Sequence, residues 1–355
     1  MKGRTSTTAT IRAVDLFCGV GGLTHGLFRG GVEVVAGYDL DPTCKYAFEA
    51  NNKARFIEKD VGELTASEIV DRLGDDAVTL VAGCAPCQPF STYSRTGRAE
   101  SSSADWGLVA SFGRLVQDIQ PDLVTMENVP ALQNHPVFTE FIQALEGYAV
   151  AYRVVQCATI GVPQTRKRLV LVASKLGTVA PSLDWRDEGK VTVQQAIASL
   201  PVLRAGEGSQ DDPLHLACRL SDINLRRIRA SRPGGTWRDW PTDLRAPCHR
   251  KVTGDTFPAV YGRMEWEEPA PTMTTQCFGY GNGRFGHPEQ DRAITLREAA
   301  ILQTFPDDYR FVNKGERVKF SQLGKLIGNA VPVRLGEKIA QTFRAHVDEV
   351  LCQPI

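Results

Sequence analysis

The chain has no apolar run of the ~18–20 residues needed to cross a bilayer. Its opening, Met1-Lys2-Gly3-Arg4-Thr5-Ser6-Thr7-Thr8, lacks the apolar core of a secretory signal. These absences argue against a membrane-spanning or exported protein, and a cytoplasmic location is expected. Net charge is also absent, since 41 Lys and Arg balance 41 Asp and Glu, so overall charge points to no partner. Nine cysteines are an odd number, scattered through predicted strands and loops, which disfavours a disulfide framework and favours a reducing compartment. No second Cys-x-x-Cys and no His pair at ligand spacing follows Cys84-Ala85-Pro86-Cys87, so neither a zinc site nor a thioredoxin-like redox role is supported, and no metal is expected. There is no internal repeat and no low-complexity segment.

What is present suits a globular protein of one large or two unequal domains: 355 residues, 42% hydrophobic and 23% charged. Up to about residue 174, β-rich runs alternate with helical patterns. Ile11–Phe17, Val32–Tyr38, Val78–Ala82, Asp122–Met126 and Leu169–Ala173 read as buried strands. Pro42–Ala50, Leu108–Ile119 and Val137–Leu145 carry helical spacing, the first with Asp41 as N-cap and Pro42 in its first turn. Such alternation predicts an α/β fold with a largely parallel, doubly wound sheet and helices on both faces. Residues 184–289 are rich in Gly, Pro, Trp and Arg with little periodicity, as in a small irregular domain. Periodicity returns at Thr295–Gln303 and Pro332–Val350. The division expected is therefore 11–183, 184–289 and 290–355, the last returning to the first domain.

Chemistry gathers at successive strand ends. Asp15-Leu16-Phe17-Cys18-Gly19-Val20-Gly21-Gly22 follows a strand and opens a helix, where glycines allow a sharp turn and close approach of a ligand. Thr24 stands where a dinucleotide fingerprint wants its third glycine, so a nicotinamide site fits poorly. The next strand ends in Tyr38-Asp39-Leu40-Asp41, and Lys59-Asp60-Val61 follows; these acids suit ribose hydroxyls and an adenine amino group, or serve as helix caps. Cys87, after the apolar run Ala77–Val81 and a proline-bearing turn, is placed as a nucleophile over the sheet. Glu127-Asn128-Val129 and Gln164-Thr165-Arg166-Lys167-Arg168 add a carboxylate and an arginine cluster at further strand edges.

With these motifs assembled, the chain resembles the cytosine carbon-5 DNA methyltransferases of bacterial and phage type over nearly its whole length. Phe17-Cys18-Gly19-Val20-Gly21, Pro86-Cys87-Gln88, Glu127-Asn128-Val129, Gln164–Arg168, Arg292–Ala300 and Gly328-Asn329-Ala330-Val331-Pro332 match the family's motifs in order. The resemblance implies a Rossmann-like methyltransferase sheet, S-adenosyl-L-methionine as cofactor and duplex DNA as partner. It implies cofactor contacts from Phe17, Gly19, Gly21, Asp39, Leu40, Asp60, Val61, Pro86, Asn329 and Val331, with Phe17 stacked on adenine, Asp39 at the ribose and Asp60 at the adenine edge. Cys87, Glu127, Arg166 and Arg168 become the catalytic set. The thiolate adds to carbon 6, Glu127 serves ring nitrogen 3 and the exocyclic amine, Arg168 faces the carbonyl oxygen, and Arg166 braces the site. Asn128 positions the loop that bears Cys87. The family usually has Glu where Asp39 stands and often a small Ala where Cys18 stands.

By the same resemblance, residues 184–289 hold the target-recognition position. Nine Lys and Arg against three Asp and Glu lie between Arg219 and Lys251, a local excess of six positive charges. Gln88, Ser91, Arg232, Arg238, Arg250, Gln276 and Arg284 are the candidate DNA contacts, and Ser91–Trp106 is the expected mobile loop closing on DNA. A separately encoded restriction endonuclease is a candidate partner, and a nucleoid-associated place in a bacterial cytoplasm is expected. Two other functions compete: a tRNA cytosine methyltransferase, since Cys277-Phe278 loosely resembles a Cys-Phe-Thr element of those relatives with Gly279 in place of Thr, and a catalytically silent DNA-binding module.

Overall fold

Ile11–Leu16 (β1), Glu33–Asp39 (β2), Arg55–Glu58 (β3), Val78–Gly83 (β4) and Leu123–Asn128 (β5) are short runs rich in aliphatic residues. Such runs suit a sheet covered on both faces. In the computed structural model, which describes residues 9–86, 103–251 and 257–352, these five strands pair in parallel. Ala149–Gln156 (β6) and Lys167–Ser174 (β7) complete a seven-stranded sheet of order β3-β2-β1-β4-β5-β7-β6. β7 runs antiparallel to both β5 and β6.

The two strands that the sequence does not predict, β3 and β6, are the two edges of this sheet. Edge strands are short or polar because one side meets no partner. β3 has only four residues, Arg-Phe-Ile-Glu, and β6 is mostly half-exposed along its length. Neither carries the continuous apolar run that marks the central strands.

Side-chain alternation sorts the helices onto two faces. Val14 and Leu16 of β1, Ala36 and Tyr38 of β2, and Val124 and Met126 of β5 point into a core shared with Ala66–Leu73 (α3), Ser103–Ile119 (α4) and Pro136–Ala144 (α5). The alternate positions point the other way. Asp15 accepts a hydrogen bond from Thr24 of Gly22–Arg29 (α1) at 2.6 Å, and Ser174 bonds His346 of Val333–Cys352 (α10) at 2.8 Å. Gly37 packs against Phe48 of Lys45–Asn51 (α2), with Cys18 filling the same space. Asp41 caps the turn before α2 by accepting from Thr43 N, as its place before Pro42 predicts. Residues 103–106, expected in the mobile loop, form the first turn of α4; residues 91–102 of that expectation lie outside the described ones.

The described residues form two compact units. One contains those up to Gln156, Lys167–Arg186 and those from Val331 on; the other contains Cys157–Arg166 and Asp187–Ala330. The second holds the helices Val193–Ile197 (α6), Asp222–Ala230 (α7), Leu296–Leu302 (α8) and Phe320–Asn329 (α9), with only isolated β-bridges between them. A unit without a sheet must satisfy its buried carbonyls by other means. Arg263, buried, donates to the carbonyls of Ile228, Ser231, His287 and Gln290 and pairs with Asp291. Arg292 and Glu298 form a fully buried pair at 2.7 Å, and Glu298 also accepts from Thr295 N in a capping box at the start of α8.

In the first unit α1 and α10 touch through glycines. A Cβ on Gly26 would stand 2.3 Å from the Val333 carbonyl oxygen and 2.7 Å from Gly336 Cα, both main-chain atoms that cannot rotate away. Gly26→Ala should therefore destabilise the protein by about 1–3 kcal/mol, the usual cost of overpacking. A urea melt measures it, and an unchanged midpoint would show that the helices separate freely.

Candidate active site

The loop after β1 is bent by its sequence. Phe17 takes a left-handed φ of 59°, rare for a residue with a bulky side chain, and is followed by Gly19 at 51° and Gly21 at 87°. At Gly19 a Cβ would meet nothing within 4 Å, so open space adjoins the main chain there. The amide of Gly19 donates to Asp39 Oδ2 at 2.8 Å, and Asp41 N donates to Asp39 Oδ1 at 2.9 Å. One short carboxylate thus ties the end of β2 to the loop after β1. Burial raises the pKa of Asp39 above the ordinary carboxylate value, while those amide bonds pull it back.

Asp15 lies beneath this loop, buried, with Thr24 on Oδ2 and no hydrogen-bond partner for Oδ1 among the described residues. Desolvation first, and the charge of Asp39 less strongly, push its pKa up to about 7. Cys18 is buried beside these acids, and desolvation drives its thiol well above the ordinary range. Asp60 accepts from Gly62 N at 2.7 Å and caps a short turn in which Val61 is buried, while Leu40 is 64% exposed. A glycine loop open to a ligand, a carboxylate at the next strand end and a buried acid with one unpaired oxygen fit a nucleoside that also carries positive charge. These residues therefore fit S-adenosylmethionine.

The catalytic edge depends on strand direction. β4 pairs with β5 in parallel as far as Gly83 and Met126, so the next residues, Cys84 and Glu127, stand side by side. Cys84 Sγ approaches Glu127 Oε2 to 2.7 Å. β7 runs antiparallel to β5 with Glu127 opposite Val170, which sets Arg168 on the same face as the diagonal neighbour of Glu127. Arg168 Nε is 2.8 Å from Glu127 Oε1, off the line of a hydrogen bond, so the contact is a charge pair between side chains 14% and 2% exposed. Asn128 Nδ2 donates to Ala85 O at 3.1 Å and its Oδ1 accepts from Val129 N at 2.8 Å. That amide holds the chain just before Pro86, which is exposed. Cys87, Gln88 and Ser91 lie outside the described residues. Cys84 is the residue that sequence reasoning passed over; its place one residue beyond β4, beside a carboxylate one residue from the end of β5, was the available signal.

Arg166 and Asn329 belong to the second unit and Val331 to the first. Arg166 is buried and donates to the carbonyls of Met273 at 3.1 Å, Gly328 at 3.3 Å and Ala330 at 3.4 Å. Among the residues expected at DNA, Arg232, Arg238, Arg250 and Gln276 are exposed. Arg232 pairs with Asp239 at 3.4 Å, Arg238 lies over the Trp237 ring, and Arg250 donates to Thr242 O at 3.0 Å. Arg284 is half-buried and donates to Gly235 O at 2.7 Å and Arg263 O at 3.3 Å, which ties it into the unit's own backbone. Among the described residues no group of three His, Cys, Asp or Glu is placed to hold a metal ion, and no helix is long and apolar enough to cross a membrane.

Residues 11–344 match the C-5 cytosine-specific DNA methylase family. The chain is 50% identical over 343 residues to the Type II methylase M.HgiDII of Herpetosiphon aurantiacus, covering 94% of this chain and 95% of that protein. It is 32% identical over 335 residues to the Type II methyltransferase M1.HphI of Haemophilus parahaemolyticus, covering 92% and 85%. Its fold resembles that of a prophage-encoded DNA modification methyltransferase of E. coli, with a TM-score of 0.72 and 21% identity over 97% of this chain and all of the other. The chain belongs to the C-5 cytosine-specific DNA methylase family, whose methyl donor is S-adenosyl-L-methionine.

Two consequences follow from the geometry. Glu127→Gln keeps the shape but loses the carboxylate that Arg168 and Cys84 face, so methyl transfer should fall about 10²–10⁴-fold with the fold retained; activity within a few-fold of the parent would remove Glu127 from the chemistry. Asp15 binds its proton more tightly folded than unfolded, so its contribution to stability is full below about pH 4 and is lost as pH rises through about 7. Asp15→Asn, which can still accept from Thr24, should gain stability relative to the parent between pH 5 and pH 8 in urea melts. An equal difference at both pH values would contradict this.

Proposed function

We propose that this enzyme methylates carbon 5 of a cytosine swung out of duplex DNA, with Cys87 as the nucleophile and Glu127 and Arg168 as the groups that manage charge on the ring. The observation that carries the reading is the buried Glu127 carboxyl, held by Arg168 on one side and Cys84 on the other, one residue from the end of β5.

Carbon 5 of cytosine is a weak nucleophile. Addition of the Cys87 thiolate to carbon 6 breaks the 5,6 double bond and moves its electron pair towards carbon 5, ring nitrogen 3 and the carbonyl oxygen. Glu127 holds the proton at nitrogen 3 and accepts from the exocyclic amine, while Arg168 faces the developing charge on the carbonyl oxygen. Bound S-adenosylmethionine supplies the electrophilic methyl group. Water takes the proton from carbon 5, the C–H electron pair re-forms the 5,6 double bond, and the carbon 6–sulfur pair returns to Cys87 as thiolate. Asn128, by fixing Ala85, positions the segment that carries the nucleophile.

Phe17, Gly19, Gly21, Asp39, Leu40, Asp60, Val61, Pro86, Asn329 and Val331 hold the cofactor in this reading. Asp39 spends both oxygens on main-chain amides, so it meets ribose hydroxyls through its remaining lone pairs. Arg166 braces the cofactor-side turn at Gly328–Ala330. Residues 184–289 read the DNA. Arg232, Arg238 and Arg250 are exposed there, and surface ion pairs such as Arg232–Asp239 are weak enough to be exchanged for phosphate. Gln276 is exposed for a base edge, and Gln88 and Ser91, which follow the nucleophile in sequence, are further candidate contacts. Residues 11–183 and 290–355 form the catalytic part. The Type II names of the relatives support a role in restriction–modification beside a separately encoded endonuclease, in a bacterial cytoplasm at the nucleoid.

The test is transfer of labelled methyl from S-adenosylmethionine to duplex DNA and to tRNA. Duplex DNA should be labelled and tRNA not, Cys87→Ala should abolish transfer, and DNA with 5-fluorocytosine at the target should trap a covalent adduct. Label in tRNA alone would favour the tRNA enzyme; tight DNA binding without any label would favour the silent module.

A further inference from the structure

Gln303 is fully buried and follows directly on α8. Its Nε2 donates to Ile327 O at 2.8 Å and lies 3.4 Å from Gly328 O and 3.1 Å from Ala330 O. Its Oε1 accepts from Gln164 Nε2 at 2.7 Å, and the oxygen of Gln164 accepts in turn from Met273 N at 3.0 Å. This chain of amides settles which way Gln303 faces: oxygen towards Gln164, nitrogen towards the turn. Arg166 reaches the same turn, at Gly328 O and Ala330 O.

The arrangement answers a local need. α9 ends at Asn329 and leaves its last carbonyls without intrahelical donors. Pro332 follows shortly and has no N–H to offer. A buried amide and a guanidinium supply the donors, and the cation also complements the negative end of the helix dipole. Gln303 lies outside the motifs that carry the sequence resemblance, yet its amide reaches the same turn as Arg166 inside them.

We propose that Gln303 is a positioning residue: through the carbonyls of 327, 328 and 330 it fixes the turn that presents Asn329, and thereby sets affinity for the cofactor. The inference rests on the reading in which Asn329 contacts S-adenosylmethionine. Gln303 acts through the main chain and touches neither substrate nor cofactor in this role.

Gln303→Met, made in the full chain, keeps side-chain length and volume and removes both polar atoms. The KM for S-adenosylmethionine and the Kd for S-adenosylhomocysteine should each rise about ten-fold, as expected for one lost buried hydrogen bond. The kcat and the KM for duplex DNA should stay within about two-fold of the parent. Gln303→Glu, which still accepts from Gln164 but cannot donate to the turn, should show the same split. Combined with Asn329→Ala, either variant should add little to the loss from Asn329→Ala alone, because both act at one point. An unchanged Kd, fully additive losses, or an equal fall in every parameter with a lowered melting midpoint would each overturn the role. A parent protein that neither binds S-adenosylhomocysteine nor methylates DNA would sink the functional reading itself; an active parent with a Gln303→Met variant of normal cofactor affinity sinks this inference alone.

Discussion

The site depends on one carboxylate kept out of water beside one guanidinium. Glu127 is 2% exposed, and a lone carboxylate in such a place would pay several kcal/mol in lost hydration. Arg168 makes its burial tolerable, and Arg168 is there only because β7 runs against β5. Were β7 parallel, its first residues would lie at the other end of the strands, with a strand's length between the two charges. The reversal of a single strand in an otherwise parallel sheet is thus what converts two distant motifs into an ion pair. β6 exists to make that reversal possible: it pairs along the whole of β7 and shields it from becoming an exposed edge.

The same features explain how far the sequence could be read. The five central strands were legible because each has partners on both sides and carries a mostly apolar, mostly buried run. β3 and β6 were not, because an edge strand such as β6, with Tyr152 half-exposed and Arg153 reaching Leu183 O, obeys solvent on one side. Glu127 and Arg168 were legible as motif residues, but their pairing was not, since strand direction is a tertiary fact that no local pattern carries. Asp41 and Asp60 read equally well as caps or ligand acids, and both do cap turns. The two readings are compatible, since a carboxylate that accepts from a main-chain amide has lone pairs left over.

The second unit was read as irregular, and its irregularity has a physical cost that the arginines meet. With isolated bridges in place of ladders, many carbonyls need donors from side chains. Arg263 takes four, Arg166 takes three, and Arg284 takes two. An arginine count taken from sequence therefore overstates the positive surface offered to DNA. Arg227 shows the same diversion: its Nε donates to Leu244 O at 2.8 Å while its guanidinium lies over Trp240 and Tyr261. The arginines that keep their charge at the surface include those on the exposed side of α7 and the turns after it, such as Arg226, Arg229 and Arg232, each paired with an acid.

Seen together, the groups around the loop after β1 are electrostatically unfinished. Burial raises Asp15, Asp39 and Cys18 alike; the charge of Asp39 adds to the rise at Asp15, that of Asp41 to the rise at Asp39, and those of Asp15 and Asp39 to the rise at Cys18. The folded protein tolerates this by leaving Asp15 partly protonated around pH 7 and by lending main-chain amides to Asp39. A ligand with fixed positive charge changes the balance, because it favours the ionised acids that burial disfavours. Binding and proton release are then linked, and the ligand stabilises the fold by more than its contacts alone. Asp39 keeps its carboxylate on the amides of Gly19 and Asp41, so its negative charge sits against the loop after β1. The cost of shaping the loop this way shows at Phe17, a bulky residue held left-handed at 59°.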